Sequence, residues 1–434
     1  MPTVHGRCRA LALSIALAWS AAGALAAPDA RITALAAQHK QPLLETLSAL
    51  VGIESGSRDL AGLDKIAGLI AERLRALGGQ VELIEPGSAA APEVYRMGDT
   101  PEKLGKMVHA SFKGTGSSKI MLIAHMDTVY PSGMLAKQPF RIDGDKAYGL
   151  GIADDKQGIA VILHAVEMLQ KLGFKDYGQL TVLINGDEEI SSPGSRALIS
   201  KLAAEHDAVL SHEGAPISGD KLSLATAGIG AVALKVQGRA SHAGAAPERG
   251  VNAFYEMAHQ VLQMRDLSDP ATGLKMNWTL GQAGSNRNVI PADATATADV
   301  RVTRVADYDR IERAIAERVK KQLIPEARVE AKFERRRPPL ESNPASLALA
   351  RHAQSVYGEL GRTLGADDQV AGGGTDAAFA GQSGKAAVVE RFGLQGFGAH
   401  TADAEYVLID SIEPRLYLVT RLVMDLAQGK VAAR

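Results

Sequence analysis

Two adjacent carboxylates, Glu188 and Glu189, follow directly after an apolar run in this 434-residue chain. The run from Leu180 to Ile184 lies between two glycines, so we expect a buried strand that ends where the acids begin. At the end of a strand, neighbouring side chains point in different directions. One could therefore bind a metal ion while the other reaches the water that the ion activates. Taken alone, such a pair is more typical of a solvated acidic turn.

Two further candidates follow another strand-like run. The continuous apolar stretch 119–124 predicts a central strand, and His125 and Asp127 come after it. These two residues lie on the same face if the strand geometry continues. A carboxylate beside a ligating imidazole is the usual way of orienting the ring, although a single histidine is more often structural than a ligand.

Carboxylates and an imidazole also occur beside other predicted elements. Asp154 and Asp155 lie at the end of a glycine-rich segment that precedes a predicted helix. Since one acid is enough to cap a helix, Asp154 is left for another role. Glu213 follows a short apolar run, and His400 follows Gly398-Ala399. We interpret His212, which precedes Glu213, as a neighbour without a role at the site.

The collected set contains imidazoles and carboxylates but no thiolates: His125, Asp154, Glu188, Glu189, Glu213 and His400. Such ligands suit zinc, or other divalent ions such as cobalt or manganese. Two ions about 3.5–4 Å apart need a shared ligand, which Asp154 could provide. One ion would then take His125 with a carboxylate, and the other His400 with another. A bridging water would have its pKa lowered towards about 7, and the remaining glutamate would pass its proton to the leaving nitrogen. The set predicts metal-assisted amide hydrolysis.

Alternating helices and strands around these residues predict a mostly parallel sheet with helices on its faces. We expect the first helix, 31–50, to be interrupted near Pro42. Strands 108–112 and 119–124 should pair through the turn 113–116. From about Gly228 the pattern changes to two β-α-β halves that end near Pro338-Pro339, which predicts an inserted α+β domain.

Bulk composition limits the classes of function. The chain has 46% hydrophobic and 22% charged residues and a formal net charge of −1. This charge gives no general electrostatic attraction to nucleic acid or anionic membranes. Arg7 and Arg9, an apolar stretch and small residues to Ala26 predict a signal peptide, 1–26, and a periplasmic or secreted protein without a membrane anchor after cleavage. The only cysteine, Cys8, would leave with it, which excludes disulfides and cysteine catalysis in the mature chain.

Several motifs occur in order along the mature chain: AHMDTV at Ala124, YGLGIADDK at Tyr148, NGDEE at Asn185, SHAG at Ser241, NVIPADATATADVR at Asn288, GGGTDAAF at Gly372 and GAHTADAEY at Gly398. With them the chain resembles the glutamate carboxypeptidases of the carboxypeptidase G type, within the wider family of zinc exopeptidases, aminoacylases and dipeptidases. The resemblance implies a three-layer α/β/α catalytic domain, 28–226 and 339–434. It also implies an inserted ferredoxin-like lid and dimerisation domain, 227–338, in a homodimer.

The resemblance also implies two Zn²⁺ ions per subunit. His125, Asp154 and Glu213 would hold one ion, and Asp154, Glu189 and His400 the other. By the same resemblance, the peptide bond after Asp154 should be cis.

Roles in catalysis and substrate binding follow from the same resemblance. Glu188 would be the general base, and Asp127 would orient His125. His242 would reach the active site of the neighbouring subunit and polarise the scissile carbonyl.

Asn288, Arg301, Arg337 and Gly374 resemble the residues that hold the carboxylates of the substrate, a task suited to the bidentate fork of arginine. The implied activity is removal of a C-terminal glutamate from N-acyl conjugates such as folates.

Departures from the family pattern concern substrate preference and leave the metal ligands intact. They are Ala371, where closer relatives have threonine, together with Leu150 and the sequence Ser191-Ser192-Pro193. A related aminoacylase or dipeptidase therefore remains an alternative. A metal-free binding protein on the same scaffold is a second alternative, against which the complete ligand set argues.

Overall fold

A computed structural model describes residues 27–86, 99–370, 372–401 and 403–432. The predicted signal peptide and the departure at Ala371 lie outside these ranges. The helices are α1 (Ala30–Val51), α2 (Leu60–Ala76), α3 (Gln157–Lys171), α4 (Arg196–Glu205), α5 (Ala253–Gln263), α6 (Val305–Arg318), α7 (Pro344–Glu359), α8 (Ala377–Gly381) and α9 (Ile412–Ala427). The strands are β1 (Gln80–Ile84), β2 (Met107–Lys113), β3 (Lys119–His125), β4 (Arg141–Asp143), β5 (Lys146–Tyr148), β6 (Gln179–Asn185), β7 (Ala208–Ser211), β8 (Ala215–Pro216), β9 (Lys221–Ser223), β10 (Gly228–Gln237), β11 (Ser241–His242), β12 (Lys275–Ala283), β13 (Val289–Ile290), β14 (Asp293–Val302), β15 (Arg328–Arg337), β16 (Gly365–Asp367), β17 (Ala387–Val389), β18 (Gln395–Phe397) and β19 (Tyr406–Leu408).

The main sheet has the strand order β1-β2-β6-β3-β7-β17. Strands β6, β3, β7 and β17 run parallel, whereas β2 is antiparallel to both of its neighbours. Side chains of β3 alternate between two cores, as a strand buried on both faces requires. Ile120 and Leu122 pack into the core formed with α1, α3 and α9, and Met121 and Ile123 into the one formed with α4 and α8. The predicted three-layer α/β/α class is confirmed.

Two local predictions are wrong. Strands β2 and β3 do not pair, because β6 lies between them. The connection 113–118 instead binds the chain just before β6: the amides of Gly114 and Thr115 donate to the carbonyls of Gly178 and Lys175. Helix α1 also continues through Pro42. Apolar residues on both sides of the proline, among them Ile32 and Leu47, are fully buried, and this packing keeps the two halves in one helix.

A second sheet, of order β12-β14-β10-β15, is antiparallel throughout. Its connections are β10-α5-β12 and β14-α6-β15, the split β-α-β arrangement of ferredoxin-like folds. Helices α5 and α6 cover its apolar face. This sheet lies between residues 228 and 337, as the predicted insertion requires. The domain boundaries and the role as lid and dimerisation surface stay predictions.

Two chain segments connect the second sheet to the rest of the molecule. They lie side by side, since Thr226 and Leu340 form an isolated antiparallel bridge. The amide of Leu340 also donates to Thr226 Oγ1 at 3.2 Å. Among the described residues, no helix combines the length and the apolar character needed to cross a membrane.

Candidate metal centre

The sheet brings several predicted site residues to one edge. His125 is the last residue of β3, Glu188 and Glu189 follow β6, and Glu213 follows β7. These three strands are adjacent and parallel, so their carboxyl ends meet, which is where open α/β sheets bind ligands. Local sequence dictates this placement, because each apolar strand ends at its first polar residues.

Asp154 and His400 come from a smaller sheet of order β4-β5-β19-β18-β8. Asp154 lies in the turn that follows β5, and His400 lies in the loop that follows β18. Strand β19 pairs with both β5 and β18, and this pairing holds the two loops near each other.

The five predicted ligands form two groups that share Asp154. His125 Nε2 lies 2.9 Å from Asp154 Oδ1 and 3.7 Å from Glu213 Oε1. His400 Nε2 lies 3.2 Å from Asp154 Oδ2 and 3.1 Å from Glu189 Oε2. Within each group the ligand atoms lie within 4.8 Å of one another. Asp154 therefore presents one oxygen to each group, as a bridging carboxylate must.

Electrostatics indicate that this donor set fits divalent cations. Burial and nearby carboxylates raise the pKa of Glu213 well above its usual value, and burial also raises the pKa of Glu189. Glu189 Oε1 is buried and has no hydrogen-bond partner among the described residues. Crowded, partly unpaired carboxylates are unfavourable unless a cation is bound between them. The mixture of imidazole and carboxylate oxygen suits zinc and similar ions.

Asp127 holds both His125 and the glutamate pair. His125 Nδ1 lies 3.0 Å from the carbonyl oxygen of Asp127 and 3.4 Å from its carboxylate. Donation from Nδ1 leaves the lone pair of Nε2 directed at the ligand group. The buried carboxylate of Asp127 also accepts from Ser57 Oγ at 2.8 Å and from the amides of Glu188 and Glu189 at 3.0 and 3.1 Å.

The turn that carries Asp154 is held by Glu405, which sequence reasoning did not assign. The carboxylate of Glu405 accepts from the amides of Gly151, Ala153 and Asp154 at 2.9, 2.8 and 3.1 Å. It also accepts from the hydroxyl of Tyr130 at 2.6 Å. Burial raises the pKa of Glu405 to about 7, although these hydrogen bonds favour the carboxylate. The only signal in the sequence was its place within the motif GAHTADAEY.

The peptide bond between Asp154 and Asp155 is cis, as the resemblance implied. Asp155 does not cap α3. Its buried carboxylate accepts from Gln157 Nε2 at 2.7 Å.

Replacement of Glu405 with glutamine is expected to weaken metal binding by roughly 10- to 100-fold, because the turn that positions Asp154 loses acceptors. The amide nitrogen of glutamine cannot accept, so at least one backbone N–H of the turn is left without a partner. The dissociation constant is measured by competition with a chromophoric chelator. Tyr130→Phe is the matched control, since it removes one hydrogen bond to the same carboxylate but no acceptor for the backbone. Equal affinities in Glu405→Gln and wild type would contradict this role.

Glu188 lies beside the ligand groups and is bound by Arg337. NH1 of Arg337 donates to Glu188 Oε1, and NH2 donates to the carbonyl oxygen of Glu188 at 2.7 Å. Arg337 is buried and also contacts Asp376 Oδ1 at 3.4 Å and Ser192 Oγ at 3.3 Å. Burial raises the pKa of Glu188 to about 8, although the charge of Arg337 opposes the shift. A carboxyl group with this pKa can exchange a proton near neutrality.

Asp376 is a second residue that sequence reasoning left without a role, although it lies in the motif GGGTDAAF. Its carboxylate accepts from Asn185 Nδ2 at 2.8 Å and from the hydroxyl of Ser192. Asn185 is the last residue of β6, so this network links the loop of Glu188 to the glycine-rich loop before α8. Asp376 thus helps to fix Arg337 against Glu188.

The other predicted substrate residues lie in or near the second sheet. Arg301 pairs with Asp299 at 2.9 Å, and its NH1 donates to the carbonyl of Gly372 at 3.2 Å. Gly374 allows close approach, since a Cβ there would lie 2.6 Å from the carbonyl oxygen of Ala227 and 3.1 Å from Arg337 Cδ. Gly374 belongs to the triple-glycine loop, 372–374, and Arg301 contacts the same loop through Gly372.

His242 and Asn288 are exposed and lie apart from these contacts. His242 Nδ1 accepts from the amides of Gly244 and Ala245, and the carbonyl of Asn288 accepts from the amide of Ala243. Within the described part of the chain, no hydrogen bond or ion pair joins either side chain to the predicted metal ligands. His212, expected to have no role, is buried and directed at the carbonyl of Ile123, and burial lowers its pKa to about 3.

Comparison with known proteins gives the class to which this fold and site belong. The model of peptidase family M20/M25/M40 matches residues 121–425. Carboxypeptidase G2 of Pseudomonas sp. (strain RS-16) is 43% identical over 430 residues, which cover 99% of this chain and 100% of that protein. The chain therefore belongs to peptidase family M20/M25/M40. The predicted enzyme class, a metallo-carboxypeptidase, is confirmed.

Solved structures agree with this assignment at the level of the fold. A tripeptidase from Staphylococcus aureus superposes with a TM-score of 0.73 at 21% identity and covers 90% of this chain and 99% of its own. A metallo-carboxypeptidase of the M20 family, Sso-CP2 from Sulfolobus solfataricus, superposes with a TM-score of 0.67 at 15% identity. The superposition covers 89% of this chain and 99% of Sso-CP2.

Proposed function

We propose that this chain is a zinc-dependent carboxypeptidase that hydrolyses the amide bond to a C-terminal glutamate in N-acyl-glutamates such as folates. The observation that carries the proposal is the pair of ligand groups joined by Asp154 beside the buried Glu188. Similarity to carboxypeptidase G2 along nearly the whole chain supports the choice of substrate class.

Two zinc ions would be held by the groups already described, one by His125, Asp154 and Glu213 and the other by Asp154, Glu189 and His400. When bound, such ions act as Lewis acids and lower the pKa of a coordinated water. Glu188 accepts a proton from water and delivers it to the nitrogen of the leaving glutamate. Burial raises the pKa of Glu188 above its usual value, which makes the carboxylate a better proton acceptor.

Positive groups around the triple-glycine loop support an acidic leaving group. Arg301 and Arg337 would hold the carboxylates of the glutamate, with Asn288 and the backbone amide of Gly374 as further donors. The exposed His242 would act in the active site of a partner subunit, which makes the enzyme a homodimer. Edge strand β12 of the second sheet, where Leu280 is exposed, would be the dimer surface. The predicted signal peptide supports a periplasmic or secreted location.

A related aminoacylase or dipeptidase with another preference is the second candidate. The observation that favours it is the burial of Arg337, whose NH1 and NH2 already bind Glu188. An arginine held in this way would have to release Glu188 before it could bind a substrate carboxylate through NH1 and NH2. The preference for one C-terminal amino acid over another would then depend on Arg301 and on the identity of residue 371.

Hydrolysis of a matched pair of substrates separates these candidates. We expect kcat/KM for an N-acyl-glutamate to exceed that for the corresponding N-acyl-glutamine by roughly 10- to 100-fold, the value of one charge-assisted hydrogen bond. Folate should release glutamate, and zinc-chelated enzyme should release none. Equal turnover of glutamate and neutral substrates would favour the aminoacylase or dipeptidase. Zinc-loaded protein without hydrolysis of any substrate would favour a binding protein.

A further inference from the structure

A second group of potential metal ligands lies between α1 and α3, outside the candidate metal centre. His39 belongs to the buried stripe of α1, and His164 and Glu167 lie one turn apart on α3. The two Nδ1 atoms of the imidazoles are 2.8 Å apart. Glu167 Oε2 lies 4.0 Å from His39 Nδ1 and 3.9 Å from His164 Nδ1. Both histidines are buried, whereas the side chain of Glu167 is 28% exposed.

Neighbouring contacts determine where the protons lie in this group. Lys171 Nζ, which can only donate, lies 3.0 Å from His39 Nε2, so the proton of His39 is on Nδ1 and donates to His164 Nδ1. His164 Nε2 donates to Thr46 Oγ1 at 2.8 Å, because that hydroxyl donates to the carbonyl of Pro42 at 3.0 Å. A single hydrogen therefore lies between two imidazole nitrogens that both face Glu167.

Lys171 is the group that maintains this arrangement, and its ammonium group lies at the surface. Its side chain is 47% exposed and pairs with Glu167 Oε1 at 3.0 Å. If the ammonium group swings into solvent, the proton of His39 can move to Nε2. The Nδ1 atoms of both rings would then carry lone pairs within 4.0 Å of the carboxylate of Glu167. Burial favours neutral imidazole, which is the form that binds metals.

We propose that His39, His164 and Glu167 form a separate binding site for a divalent transition metal, with Zn²⁺ as the best fit, that cross-links α1 to α3. Two ligands at i and i+3 on one helix and a third from a facing helix are a recurrent way to build such sites. In tetrahedral coordination with Zn–N and Zn–O near 2.1 Å, ligand atoms lie about 3.4 Å apart. The observed separations of 2.8, 3.9 and 4.0 Å lie on both sides of this value. Two imidazoles among three ligands disfavour Ca²⁺ and Mg²⁺.

Metal counting in two surface variants tests the proposal with mature, full-length protein. Metal is removed by dialysis against chelator, and Zn²⁺ is then titrated back and counted per chain. Glu167→Gln should lower the count by one ion or raise the dissociation constant of that ion by at least about 10-fold, because a charged ligand is lost. Lys171→Met should bind the same ion several-fold more tightly, because the competing cation is removed. Both side chains are partly exposed, so both variants should fold.

The pair of variants separates a metal site from a purely structural network. A network without metal predicts the same number of ions, and the same affinities, in wild type and both variants, and that result would overturn the proposal. Weaker binding in Lys171→Met would also overturn it. Hydrolytic activity at saturating zinc should be equal in all three proteins, since neither residue touches the candidate metal centre. Zinc should raise the thermal unfolding midpoint of wild type further than that of Glu167→Gln, because the variant can bind zinc only at the candidate metal centre.

Discussion

Glu188→Gln is expected to lower kcat by about 10²- to 10⁴-fold, the usual contribution of a general base, without loss of bound metal. Glutamine has the same shape but cannot accept a proton from water at neutral pH. Glu188 belongs to neither ligand group, so the ions should stay in place. The amide oxygen of glutamine can still accept from Arg337, which keeps the local packing. Steady-state kinetics and metal analysis on the same preparation measure both expectations.

Glu189→Gln is the matched control, because it changes the adjacent residue in the same way. Glu189 lies in the group of His400 and Asp154, so this variant should lose affinity for one ion and regain activity at high zinc concentration. Glu188→Gln should not be rescued by zinc. If both variants lose metal to the same extent, Glu188 is a ligand and not the base.

Much of this site could be predicted because local pattern and sheet geometry agree. The strands before His125, Glu188 and Glu213 are apolar runs that end abruptly in polar residues. Since these strands are parallel neighbours, residues at their carboxyl ends must come close together. Asp154 and His400 lie on loops, where periodicity carries no distance information. Their residue types made them candidate ligands, and the family resemblance implied the complete ligand sets.

The features that escaped prediction depend on contacts far apart in the chain. A turn between β2 and β3 suggests that they pair, but the insertion of β6 between them is a property of the whole sheet. The pattern around Pro42 could not show that burial on both sides would keep α1 continuous. Glu405 binds amides about 250 positions earlier in the chain, and no local signal marks an acceptor for distant backbone groups. His39 and His164 likewise resemble core residues until the helices are packed.

Arg337→Met is expected to lower the free energy of unfolding by about 3–5 kcal/mol, the usual effect of removing one partner of a buried ion pair. Without the guanidinium, the carboxylates of Glu188 and Asp376 remain buried with no cation between them. Chemical denaturation of the zinc-loaded enzyme measures this loss. Arg337→Lys should lose less stability, because lysine keeps the positive charge. It should still lose some, because lysine lacks the fork of donors. Unchanged stability in Arg337→Met would show that the contact contributes little.

The same variant should shift the pH dependence of catalysis. The charge of Arg337 lowers the pKa of Glu188, so its removal raises that pKa further above the usual value. The base must be deprotonated to act, and therefore the acidic limb of the kcat profile should move to higher pH in Arg337→Met. A purely structural role would reduce stability and leave this limb in place.

Binding of substrate to inactive enzyme then separates the two roles of Arg337. In Glu188→Gln the guanidinium faces a neutral amide, and its Nε has no hydrogen-bond partner among the described residues. NH1 and NH2 keep acceptors at position 188, but the loss of the negative charge there leaves the positive charge of Arg337 for a substrate carboxylate. Adding Arg337→Met should weaken the binding of an N-acyl-glutamate by roughly 10- to 100-fold, measured by calorimetry. Equal dissociation constants in the single and double variants would mean that Arg337 serves Glu188 alone, and that glutamate recognition rests on Arg301.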